Sequence, residues 1–139
     1  MPPFQVTVDA NDPHALAAWW APLLGYEVES NDDFIGELLE AGHVTVDDLV
    51  VIDGLRYFAD AAALRDPGGV QPRLYFQRVP EPKTAKNRFH LDLRVEQGDR
   101  ERRVEALVAR GATFVTYGEH PCHRWAVMQD PEHNELCLH

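Results

Sequence analysis

Cysteine is scarce: Cys122 and Cys137 are the only two in 139 residues. That is too few for a disulfide framework and sets the expectation of a reducing, cytoplasmic setting. Serine is scarcer still. Ser30 stands alone beside Glu29, Asp32 and Asp33, which argues against a serine-nucleophile hydrolase. No G-x-G-x-x-G and no G-x-x-x-x-G-K-[ST] occurs, so neither a dinucleotide fold nor a P-loop is indicated. Lysine is limited to Lys83 and Lys86, and 13 Lys+Arg against 23 Asp+Glu leave a net charge of −10. Such a balance disfavours nucleic acid or an anionic membrane surface as partner. The longest apolar run, residues 15–26, is broken by Pro22 and falls short of the ~20 residues that span a bilayer. MPPFQVTVD places no basic segment before an apolar one, so no signal peptide is expected. What is present is ordinary globular material: 45% hydrophobic and 26% charged residues, at a length suited to one domain.

Residues 4–9 alternate apolar and polar, the period of a half-buried strand. A helix follows, with Asp12 as cap, Pro13 at its first position and Gly25 just past its end. Leu16, Trp19, Trp20, Leu23 and Leu24 form its apolar stripe. One tryptophan is expected in the core and the other against a neighbour or partner, and Pro22 predicts a kink in the last turn. Alternation returns at 26–29, and 34–42 predict a short helix. Thr45 and Asp48 have capping-box spacing. Asp53-Gly54 between Leu49-Val50-Val51-Ile52 and Leu55-Arg56-Tyr57-Phe58 predicts a hairpin. Asp66-Pro67-Gly68-Gly69 is a loop, and 73–78 alternate as a strand. Phe89, Leu91, Leu93 and Val95 are expected to face inward, with Arg88, His90, Asp92 and Arg94 on the opposite face. Gly98-Asp99 opens a helix through Val104, Leu107 and Val108 that closes at Gly111. Residues 113–117, 124–129 and 135–139 read as strands, the last two joined by the turn 130–134.

The halves repeat one another. Residues 4–28 align with 89–115, Asp12 against Asp99 and Gly25 against Gly111, and each copy must bury its apolar face against further structure. The expected architecture is α+β, a single domain over 1–139 built of two βαβββ modules. Module 1 covers about 1–80 with a helix–hairpin insertion at about 33–58, and module 2 about 88–139. Arg73-Leu-Tyr-Phe-Gln-Arg-Val79, Lys86-Asn-Arg-Phe-His-Leu-Asp-Leu93 and Val127-Met-Gln-Asp-Pro-Glu-His-Asn-Glu-Leu-Cys-Leu138 resemble a glyoxalase-like domain of the vicinal oxygen chelate superfamily, which includes glyoxalase I, extradiol dioxygenases and bleomycin-resistance proteins. The resemblance spans essentially the whole chain. It implies a cup-shaped mixed sheet with helices on the convex side, and family habit implies a homodimer. It does not single out a reaction.

Strand parity defines a candidate face without the family. Gln5, Thr7 and Asp9 share one side of their strand, as do Arg73, Tyr75 and Gln77, and Glu135, Cys137 and His139. In the metalloenzymes of the superfamily, four strands each give one ligand. The matching positions here are Gln5, Tyr75 or Gln77, His90 and Cys137. Only His90 keeps the usual ligand type, so a divalent metal is not favoured as cofactor, with His90 and Cys137 the remaining candidates. His120, Cys122 and His123, with His133 and His139 further on, match no ligand spacing and read as loop histidines.

His90 and Asp92, two apart on one strand face, are the candidate acid–base pair: the carboxylate orients the imidazole. Gln5, Thr7, Tyr75, Gln77, Lys86, Arg88, Trp125 and Cys137 are candidate ligand-binding residues, Arg88 for two-point recognition of an anion and Trp125 as an aromatic wall. Segment 71–94 carries Arg73, Arg78, Lys83, Lys86, Arg88 and Arg94 against Glu81 and Asp92, a local positive field able to steer an anion. The expected function is lyase- or isomerase-like chemistry on a small anionic or aromatic metabolite. The alternatives are a non-catalytic protein that sequesters such a compound and a ligand-sensing or interaction domain.

Overall fold

The computed structural model describes residues 2–96 and 98–139 and divides into two compact units, Met1–Glu81 and Pro82–His139. The first unit runs β1 (Gln5–Ala10), α1 (Pro13–Leu24), β2 (Glu27–Val28), α2 (Asp32–Glu40), a 3-10 turn (Val46–Asp48), β3 (Leu49–Ile52), β4 (Leu55–Phe58), β5 (Ala61–Arg65) and β6 (Arg73–Arg78). Its main sheet has the order β1-β6-β5-β2; β3 and β4 form a separate ribbon. β1 and β6 are parallel, pairing Gln5 with Arg73, Thr7 with Tyr75 and Asp9 with Gln77.

The punctuation of α1 is as the residues dictate. The Asp12 carboxylate accepts the Ala15 N–H at 3.0 Å, and Gly25 closes the helix at φ 68°, a left-handed value that a side chain disfavours. The helix runs through Pro22 to Leu24. Both Trp19 and Trp20 are buried, their rings edge-to-face at 5.3 Å, so neither is left for a partner. Helix α2 begins at Asp32, ahead of the expected 34, because Asp32 is clamped by Arg56. Its Oδ1 accepts the Arg56 backbone N–H and Nε–H at 2.8 Å, and its Oδ2 accepts Nη2–H at 2.9 Å. These hydrogen bonds hold the carboxyl at about 2. The Thr45–Asp48 capping box is present on the 3-10 turn, and Asp53-Gly54 turns the hairpin with φ 49° and 81°. Strand β5 carried no signal in the sequence: its alanines are poor strand formers, and burial between its neighbours decides its state. Phe4 precedes the strand and is exposed rather than packed inward.

The second unit runs β7 (Leu91–Leu93), α3 (Arg100–Ala109), β8 (Thr113–His120), β9 (His123–Gln129) and β10 (Glu135–Leu138). Its sheet order, β7-β10-β9-β8, repeats that of the first unit strand for strand. β7 lies parallel to β10, pairing Asp92 with Cys137, and the other contacts are antiparallel. The strand expected from Phe89 is shorter than its alternation suggests. The ladder to β10 starts at Leu91 opposite Leu136, and Phe89 lies in a bend with 94% exposure, so it packs nothing inward. Val95 continues the ladder by donating to the His139 carbonyl.

Strand β10 is central and buried along its length, and this corrects the expected polar row. Glu135 is buried, with Oε2 accepting the Asn87 N–H at 2.9 Å. Lys83 Nζ stands 3.1 Å from Oε2, and Gln129 donates to Oε1 at 3.1 Å. Burial pushes this carboxyl up, but the Asn87, Gln129 and Lys83 donors overcome it and hold it at about 2. Among the described helices, none is long and apolar enough to cross a membrane.

Candidate functional site

The second unit gathers its reactive side chains where β7, β10 and β9 lie side by side. His90 and Asp92 stand two apart at the start of β7, and their side chains meet: Nδ1 of His90 is 2.8 Å from Asp92 Oδ1. Parallel pairing sets Cys137 opposite Asp92, placing its sulfur 4.0 Å from His90 Nδ1. Two residues on, His139 brings Nε2 to 3.2 Å from the second Asp92 oxygen. That approach lies off the hydrogen-bond axis, so Nε2 is a buried nitrogen without a hydrogen-bond partner. Nδ1 of His139 faces His123 Nε2 at 2.6 Å. Their centroids are 4.9 Å apart and their planes 14° from parallel, which makes them edge-to-edge partners rather than a face-on stack.

Trp125, two residues past His123 on β9, lies within 10° of the His139 plane at 5.8 Å. Its ring occupies the space over Gly118 of β8, where a Cβ would collide with the indole. Glycine is therefore required at 118 for the ring to lie as it does. Burial first, and the Asp92 carboxylate second, push the Cys137 thiol up to about 11, opposed by Lys86. At neutral pH Cys137 is a thiol, not a thiolate.

Two cavities open beside this cluster. One of about 540 Å³ is lined by Asp92, Arg94, Val95, His123 and His139. The other, of about 830 Å³, is lined by Arg100, Glu119, His120, Cys122, Arg124 and His139 among others. Lys86, Arg88, His90, Trp125 and Cys137 line neither of these two. Arg88 is exposed in the bend before β7. Lys86 donates to the neighbouring Asn87 carbonyl at 3.2 Å.

The expected site residues of the first unit form a polar face of their own, and most of it is internally satisfied. Gln5 Oε1 accepts from Arg73 Nη1 at 2.8 Å, and its amide approaches Thr7 Oγ1 at 3.4 Å. Gln77 donates to Asp9 at 2.7 Å. The Arg73 guanidinium also grips Glu29 through two 2.8 Å bonds and sits 5.3 Å from the Tyr75 ring centroid. The positive field expected of segment 71–94 is weakened accordingly, since Arg73 and Lys83 are both paired with carboxylates.

Sequence reasoning found His90–Asp92 and missed His123–His139. Residues 90 and 92 share a strand face, whereas 123 and 139 meet only through strand order. The sequence places His123 among loop histidines, whereas it opens β9; His120 and Cys122 are exposed.

The model of the glyoxalase-like domain matches residues 5–139. The chain belongs to that family. Solved structures agree on the fold of this glyoxalase-like protein. A glyoxalase/bleomycin resistance protein/dioxygenase family enzyme from Burkholderia phytofirmans PsJN superposes with TM-score 0.63 at 18% identity, covering 96% of this chain and 94% of that one. The fosfomycin resistance protein FosX from Mesorhizobium loti gives 0.62 at 11%, covering 97% and 87%. The bleomycin-binding protein of Streptomyces verticillus gives 0.54 at 20%, covering 99% and 94%. No curated protein matches the sequence.

The superfamily's four-strand metal set does not fit the side chains of this glyoxalase-like chain. At the matching positions stand an amide committed to Arg73 (Gln5), a phenol under a guanidinium (Tyr75) or an amide committed to Asp9 (Gln77), an imidazole (His90) and a thiol (Cys137). Amides and phenols are weak ligands for such ions.

Proposed function

We propose that this glyoxalase-like protein performs proton-transfer chemistry of the lyase or isomerase type on a small anionic or aromatic metabolite, with His90 as the acid–base group. The observation that carries the reading is the 2.8 Å contact between His90 Nδ1 and Asp92 Oδ1. With Nδ1–H donating a hydrogen bond to the carboxylate, the ring keeps a lone pair on Nε2, and its side chain is 34% exposed. A substrate C–H or O–H beside Nε2 loses its proton to that lone pair. The imidazolium formed is stabilised by Asp92 and returns the proton to the product. Arg94, beside Asp92 in the smaller cavity, supplies a guanidinium for a carboxylate, and Trp125 an aromatic surface. Lys86 and Arg88 add positive charge on the approach. A cytoplasmic homodimer is part of the same proposal.

The test begins with a thermal-shift and mass-spectrometric screen of small carboxylates and phenols. With a substrate in hand, His90→Ala should lower kcat by at least about 100-fold while binding persists, and Asp92→Asn should lower it less. Full turnover by His90→Ala removes His90 from the mechanism. The second reading is sequestration without chemistry, favoured by the near-parallel Trp125 and His139 rings and by the likeness in fold to a bleomycin-binding protein. Tight calorimetric binding of a compound recovered unchanged would establish it.

A further inference from the structure

We infer that the larger cavity of the second unit, about 830 Å³, binds the carboxylate of a small organic acid between Arg100 and His139. Among the described residues, two buried side-chain polar atoms lack a hydrogen-bond partner, Arg100 Nε and His139 Nε2. Both residues line this one cavity. A buried polar group left unpaired is costly, and two of them at one cavity mark the place where a ligand supplies the missing partners. Arg100 Nε is itself covered, and rotation about the unbranched stem turns the guanidinium fork toward the cavity.

The polarity of the missing partner follows from the neighbours. His139 Nε2 stands 3.2 Å from an Asp92 oxygen, where a lone pair would meet the carboxylate's negative charge, so Nε2 carries the ring proton. Nδ1 then accepts from His123 Nε2–H at 2.6 Å. Both orphans are therefore donors, and their ligand is an acceptor. Its charge follows from the ion pairs. Asp99, next to Arg100, is taken by Arg102 and Arg103. Glu119 and Glu101 stand 3.3 and 3.6 Å from Arg124. Among the described residues, Arg100 is thus the guanidinium of this cavity without a counter-charge. One positive charge on a planar fork matches one carboxylate, and Glu119 on the same wall disfavours a dianion such as phosphate. The site goes beyond the proposed function, which seats a carboxylate at Arg94 in the smaller cavity, and it leaves the His90–Asp92 contact intact.

The experiment titrates the full chain with benzoate and follows the Arg100 Nε–H signal by heteronuclear NMR, with neutral benzamide and inorganic phosphate as further probes. The expected result is a saturable shift with benzoate and none with benzamide. The shift should persist in Arg94→Gln, which removes the guanidinium of the smaller cavity. In that background the calorimetric affinity for benzoate should fall at least about tenfold with Arg100→Gln. It should fall less with Arg100→Lys, which keeps the charge and loses the fork. An unchanged thermal midpoint separates lost binding from lost folding. A silent Arg100 signal, an equal response to benzamide, tighter binding of phosphate than of benzoate, or a shift lost with Arg94→Gln overturns the site. None of these outcomes involves turnover, so the acid–base reading stands or falls separately.

Discussion

The two units share one strand order and one pattern of parallel and antiparallel pairs, yet use the corresponding strands in opposite ways. On β1 and β6 the polar side chains are satisfied, Gln5 with Arg73 and Asp9 with Gln77, while Arg73 also holds Glu29 just past β2. On β7 and β10 the same geometry holds titratable groups, with His90, Cys137 and His139 around Asp92. A duplicated scaffold fixes where side chains meet and leaves open what they do. The grouped imidazoles and the buried thiol lie in one copy, and the other copy's equivalent surface is largely self-satisfied.

That contrast can be broken by mutation, and the largest effect is expected at Glu135. Glu135→Gln leaves Lys83, whose side chain is only 17% exposed, without its counter-charge, and should cost about 3 kcal/mol in urea unfolding. The same group sets an acid limb. Its folded value of about 2 lies below the ordinary 4.5, so its contribution is present above pH 4.5 and is lost as pH falls from there toward 2. Glu135→Gln should flatten that part of the stability profile. Next in size is Gly118→Ala, whose Cβ would collide with the Trp125 ring. A loss of about 2 kcal/mol with a changed tryptophan emission is expected. In the first unit, Asp12→Ala removes the cap on α1 at about 1 kcal/mol, read from the thermal midpoint. Arg73→Ala should cost less than about 1 kcal/mol, since that pair is partly solvated. An Arg73 effect equal to that of Glu135 would erase the distinction between the units.

Much of the fold was legible because its signals are local. Asp12, Gly25 and the Asp53-Gly54 turn act through their own backbone, and the repeat was visible as matched caps and stops. Strand β5 was not legible, since Ala61-Ala62-Ala63 has no period and its state comes from the strands on either side. Phe89 misled for the opposite reason: perfect alternation continued past the point where β10 offers partners. At the site, spacing gave His90 with Asp92. Cys137 beside Asp92 and His139 against His123 depend on register and strand order, which no single strand encodes. The burial of Glu135 also depends on context, because its donors Lys83 and Asn87 come from a loop far away in sequence.

One difference between the copies bears on how such a fold can change length. Between β2 and β5 the first unit carries a helix, a 3-10 turn and a complete ribbon, whereas the matching link between β8 and β9 is only Pro121-Cys122, with His120 paired to His123. The sheet order is unaffected by that disparity. The exposed tip at Pro121-Cys122 is thus the natural port for grafting a foreign peptide or a reporter tag, and the first unit already displays a tolerated example of such an extension.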